Sequence, residues 1–191
     1  MPLARALDRI QCGVIATSCS MRPSFVNRYA HQVLERRDAL VLENGSLRAH
    51  SAEDQRTLTG LVSRAANSEL DRGVTVWLRS ADPTRRLVLH VVGDNSPTVG
   101  CEAILFVCDP SQTITVDHAS MRALYGFTRA EATFAAHLLR GKSVEDAADL
   151  LCISIHTART HLKRILMKAD TGRQAELLRV VLTSSCFVRL D

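Results

Sequence analysis

Through the first hundred or so positions, apolar residues gather in short strand-like runs separated by stretches with helical spacing. Cys12–Thr17, Ser24–Asn27, Val74–Arg79, Arg86–Val92 and Cys101–Cys108 are the strand candidates, bounded by polar or turn-forming residues. Arg28–Glu35 and Ala52–Glu69 carry helical spacing, the latter with Leu58, Leu61, Val62 and Ala65 on one side. Asn44-Gly45 lies between Leu40-Val41-Leu42 and Leu47, and this dipeptide tolerates positive φ at both turn positions, so a small hairpin is predicted there. The pattern predicts an α+β core built on a mixed sheet of about five strands, the last three consecutive.

After Cys108 the pattern changes. Asp109-Pro110-Ser111-Gln112 breaks the apolar run, and a polar stretch continues to Asp117 and His118, which predicts a linker over 110–126. Thr128-Arg129-Ala130-Glu131 then has the form of a capping box, so a helix should begin at 129, bury Phe134, Ala135, Leu138 and Leu139, and stop at Gly141. Ser143 caps a second helix whose stripe is Val144, Ala147, Ala148 and Leu151. Ser154 caps a third, and Thr171-Gly172-Arg173-Gln174, read as another box, announces a fourth. Four helices joined by short turns predict an all-α helix-turn-helix module over 127–185.

The third helix, 154–168, carries the chemistry. At 100° per residue, Ile155, Ala158, Leu162, Ile165 and Ala169 fall within an arc of about 80°, with His156, Arg159, Thr160 and Lys163 opposite. A helix seated on its apolar side with this cationic side outward suits the major groove, where Arg and Lys reach guanine edges or phosphates and Thr meets a thymine methyl. Its first turn, with Ser154, His156 and Thr157, would lie near phosphate. Candidate DNA contacts are therefore Ser154, His156, Thr157, Arg159, Thr160, Lys163, Arg164 and Lys168.

Charge sharpens this division. Up to residue 120, 13 Arg balance 13 Asp and Glu, and the whole excess of +4 lies beyond, where 11 basic residues face 7 acids. Arg159, Lys163, Arg164, Lys168 and Arg173 are opposed locally only by Asp170, a pattern that fits a polyanion partner. The 46% apolar and 23% charged residues describe a globular chain, and at roughly 150 residues per domain 191 residues allow one domain and a small module. No apolar run approaches the roughly 18 residues of a membrane span, and the first residues lack the form of a secretory signal, so a cytoplasmic protein with no membrane partner is expected. The 6 cysteines are scattered, with no Cys-x-x-Cys pair, and read as packing residues. His156 and His161 lie about 140° apart around a helix and cannot grip one metal ion together.

Two resemblances follow from these residues. Gly13-Val14-Ile15, Phe25-Val26-Asn27 and Ala30, followed by three closing strands, resemble the strand, strand and helix opening of a PAS domain over residues 4–109. This implies an antiparallel sheet with helices acting as a sensor or dimerisation domain, and leaves room for a small-molecule ligand whose identity it does not give. A hairpin-like insertion, Asp38 to Ala49, departs from that pattern, so no pocket residue carries over, and His50 and His90 are read as ordinary histidines rather than haem ligands. A GAF-like sensor is the competing architecture.

Residues 127–182 resemble the LuxR/FixJ-type helix-turn-helix of bacterial transcriptional regulators. The match is carried by Thr128, Glu131, Gly141, Ser143, Ala148, Leu151, Ile153, Ser154, the run His156 to Lys163, Ile165, Lys168 and Arg173 to Leu177. The resemblance implies that Arg159, Thr160 and Lys163 face the groove, that His161 supports the helix, and that the fourth helix contributes to dimerisation. Leu177, Leu178 and Val181 are available for that last purpose or for the module's own core. Cys152 stands where the family usually has Gly, a place favouring positive φ; Glu145 takes an often basic position; Ala147 replaces a commoner Ile.

Together the halves imply a homodimeric one-component regulator of double-stranded DNA, with RNA polymerase as a further partner the resemblance allows. No receiver domain with a phosphorylatable aspartate is recognisable. The alternative is a protein-interaction or anti-activator module that has kept the fold without specific DNA binding. The autoinducer-binding type has a longer sensor, richer in aromatics than this half with its single Trp77. No nucleophile and base pairing, glycine-rich phosphate loop or metal set points to an enzyme.

Overall fold

A computed structural model describes residues 2–70, 73–94, 102–112 and 117–185. Cys101, expected to open the last strand, and Cys186 lie outside them. The chain divides into two units, Met1–Gln112 and Thr113–Asp191.

The first unit is an α+β arrangement. Its strands are β1 (Gly13–Ser18), β2 (Pro23–Val26), β3 (Leu40–Glu43), β4 (Ser46–Ala49), β5 (Val74–Arg79), β6 (Arg86–Asp94) and β7 (Glu102–Cys108). Its helices are α1 (Pro2–Leu7), α2 (Arg28–Glu35) and α3 (Ala52–Ala66), of which α1 had no counterpart in the sequence pattern. Five strands form one sheet in the order β2-β1-β7-β6-β5, and β3 and β4 form a separate hairpin. Every ladder is antiparallel, so the mixed sheet expected from the runs alone is corrected, in favour of what the PAS resemblance implied. The hairpin turns at Asn44 (φ 50°) and Gly45 (φ 76°), both left-handed as the dipeptide predicts.

Alternation along β7 shows where the core sits. Ala103, Leu105 and Val107 are buried beneath the helices, whereas Phe106 and Cys108 reach the outer face. Ile15, Leu58, Val62, Ala65, Leu78, Leu89 and Leu105 are inaccessible to solvent and join one cluster between sheet and helices. Each such large aliphatic side chain contributes roughly 1.5 to 3 kcal/mol on burial. Asn27 ties the opening elements together, because its Oδ1 accepts from the N–H of Val14 (2.9 Å) and Ala30 (3.0 Å) while its Nδ2 donates to the carbonyls of Leu7 (2.8 Å) and Cys12 (2.9 Å).

The second unit is all-α: α4 (His118–Tyr125), α5 (Arg129–Leu139), α6 (Val144–Leu150), α7 (Ile155–Lys168) and α8 (Gln174–Ser185). Helix α4 corrects the expectation of a linker over 110–126. Asp117 caps it through the N–H groups of Ala119 and Ser120, and Met121 is buried with the cores of α5 to α8. The polar stretch preceding α4 hid it, since Asp and Ser there serve as cap and first turn. Thr128 and Glu131 form the predicted capping box of α5, and Ser143 with Asp146 forms one for α6. Gly141 (φ 79°) supplies the left-handed stop after α5. The box expected at Thr171 does not form: α8 begins only at Gln174, the buried Thr171 hydroxyl has no partner, and the Gly172 N–H donates instead to Glu176 (3.0 Å).

Candidate nucleic-acid interface

Helix α7 is seated by a narrow apolar stripe. Ala158 and Ile165 are buried against α5, α6 and α8, with Leu162 and Ala169 partly buried beside them. Ile155, expected on this stripe, is exposed at the first position of the helix. The opposite side presents His156, Arg159, Lys163 and Arg164 to solvent, with Thr160 half-buried at its margin.

The start of α7 is held by local hydrogen bonds. Ser154 accepts from the Thr157 N–H (3.1 Å), and the two hydroxyls lie 2.9 Å apart. The Thr160 hydroxyl donates to the His156 carbonyl (2.9 Å). Just upstream, Cys152 adopts φ 52°, the left-handed conformation expected of a glycine at this turn. The turn therefore keeps its path with a side chain in place.

The cations on α7 serve different ends. Lys163 and Arg164 are exposed and make no ion pair among the described residues. Arg159, 70% exposed, lies 3.8 Å from the Glu145 carboxylate in the first turn of α6, itself 64% exposed. Lys168, expected as a DNA contact, is tied into the unit's own scaffold. Its Nζ donates to Glu131 Oε2 (2.7 Å) and to the Gly126 carbonyl (2.9 Å), joining the end of α7 to the start of α5. Burial alone would raise the Glu131 carboxyl, whose side chain is 3% exposed, but the Lys168 ammonium and the Thr128 N–H outweigh it and hold the group below the usual carboxylate range. The tie spans 37 residues, so local spacing gave no sign of it.

Leu177 and Val181, which the sequence left open to dimerisation or core, are buried in the unit's own core, and Leu178 is partly buried against it. His161 packs 6.0 Å from the Phe134 ring, and its buried Nδ1 has no hydrogen-bond partner. With Arg129, Ala130, Thr133, Leu151 and Ile153 it lines an open apolar groove of about 420 Å³, a feature the helical periodicity did not reveal. No described helix is long and apolar enough to cross a membrane. Among the described residues, no cluster of three His, Cys, Asp or Glu is placed to hold a metal ion.

Comparison with known proteins finds no family model and no curated protein that matches the sequence. Among solved structures, the chain is similar to the phage VqmA–DPO complex, at 15% identity over 99% of this chain and 90% of that one, with a TM-score of 0.42. It is similar to the Vibrio cholera VqmA–ligand–DNA complex at 12% identity over 99% and 90%, again at 0.42. A Rhodobacter sphaeroides LOV protein matches at 11% identity over 95% and 90%, with a TM-score of 0.37. These likenesses are distant.

Proposed function

We propose that the protein is a non-enzymatic, sequence-specific DNA-binding transcriptional regulator of the one-component type. Helix α7 enters the major groove, and a signal received by the PAS-like unit modulates binding. The observation that carries this reading is the exposed row of Arg159, Lys163 and Arg164 on a helix seated by Ala158 and Ile165. Arg159 reads a base edge, Thr160 offers its methyl, Lys163 and Arg164 meet phosphate, and the capped start of α7 with Ser154, His156 and Thr157 faces the backbone. A homodimer would place two such helices on half-sites about one helical turn apart.

Selection of bound sequences from a random duplex library, followed by titration of the selected operator, tests this reading. If the dimer neutralises about 8 phosphates, log affinity falls with log salt at a slope near −7. Arg159→Ala costs about 1 to 3 kcal/mol and flattens preference at one position of each half-site. Enrichment of no sequence, or an affinity indifferent to salt, overturns the reading. The apolar groove beside His161 favours a second one, in which the helical unit docks a partner protein as an interaction or anti-activator module. Under that reading the chain binds no duplex even at low salt.

A further inference from the structure

The Arg159–Glu145 pair is hard to explain by stability. Both side chains are largely in water and 3.8 Å apart, the setting in which ion pairs contribute little to a fold. The α6 start is already served by Asp146, whose carboxylate accepts from the Ser143 N–H (3.1 Å) and completes the capping box without Glu145. Yet Glu145 sets a negative charge beside the outward face of α7, where an approaching phosphate would meet it. A charge unfavourable to any polyanion, placed against the one arginine best positioned to read a base, has the form of a specificity device.

We propose that Glu145 is a positioning residue that directs Arg159 toward base edges and penalises its use on arbitrary phosphates. The inference rests on the DNA-binding reading above. An arginine released from Glu145 can swing to whichever phosphate is nearest, gaining affinity that carries no sequence information. With the carboxylate 3.8 Å away, the guanidinium is biased against a phosphate that Glu145 repels, and a guanine edge, uncharged and with two acceptors, is the better partner for its donors.

The test measures affinity of the full chain for its selected operator and for random duplex, at several salt concentrations, in wild type, Glu145→Gln, Glu145→Asp, Arg159→Ala and the Glu145→Gln/Arg159→Ala double variant. Glu145→Gln is expected to tighten binding to random duplex about tenfold, to steepen the salt slope by about one per protomer, and to lower the operator-to-random ratio about tenfold. Glu145→Asp restores most of the ratio, since the carboxylate remains. In the Arg159→Ala background, Glu145→Gln no longer changes the ratio. An equal gain on both duplexes would reduce Glu145 to a general charge effect and overturn the proposal, as would an unchanged ratio. A wild-type chain that binds no duplex at all would instead bring down the DNA-binding reading itself.

Discussion

In the first unit arginines meet carboxylates of the same unit: Arg36 and Arg85 converge on Asp109, Arg37 approaches Glu43, and Arg79 meets Glu53. In the second unit Lys168 is drawn into a nearly buried pair, Arg159 has a loose exposed partner, and Lys163 and Arg164 extend into solvent. Basic residues are thus used for internal cohesion in one region and left in solvent on α7 in the other. Two of the buried carboxylates, one from each unit, make the contrast concrete. Asp109, 6% exposed, takes two guanidinium groups and the Ser111 hydroxyl at the end of β7, whereas Glu131 takes one ammonium and closes a capping box.

The largest expected effect comes from Asp109→Asn, which leaves Arg36 and Arg85 facing a neutral group and should destabilise the first unit by about 3 kcal/mol in urea unfolding. Lys168→Met should cost the second unit about 2 kcal/mol, the lesser value following from one partner rather than two and from a lysine already 35% exposed. In binding assays at temperatures where Lys168→Met is folded, its salt slope should match wild type; a slope reduced by about one would return Lys168 to the phosphate-contacting set. If the two substitutions prove equally mild, the distinction between the carboxylate sites fails.

Acid sharpens the same contrast. Burial pushes the Asp109 carboxyl up, but Ser111 and Arg85 more than offset this and hold it low, as Lys168 and Thr128 do for Glu131. A carboxyl depressed on folding contributes stability above its ordinary value near 4, and that stability is lost as pH falls through the folded value. Denaturation midpoints should therefore drop below about pH 4, and Asp109→Asn should flatten that drop. The smallest effect is expected at the turn before α7: Cys152→Gly removes a side chain from the left-handed region and should stabilise the second unit by about 0.5 kcal/mol, the gain offset partly by glycine entropy. A loss of stability there would mean that the Cys152 side chain contributes packing greater than its backbone strain.

Much of the architecture was legible because it is local. The Asn44-Gly45 turn, the box at Thr128, the cap at Ser143 and the stop at Gly141 each depend on neighbours within a few positions, whereas the left-handed residue at Cys152 was implied only by the family resemblance. Helix α4 was missed because its acidic cap resembles a loop, and the box at Thr171 failed because α8 starts two residues later than the motif implied. The outward row on α7 followed from angular spacing, but which cations remain outward did not.

From the sequence alone come the sheet-forming and helical halves, the charge excess in the last third, and the seat and outer face of α7, since periodicity, capping and turn conformations are fixed by nearby residues. Only the tertiary structure decided that Lys168 belongs to Glu131, that Arg159 faces Glu145, that Asp109 gathers two arginines, and that Leu177 and Val181 are core. Those outcomes depend on residues far apart in the chain, and a charged or apolar side chain carries no local mark of which distant partner packing will bring beside it.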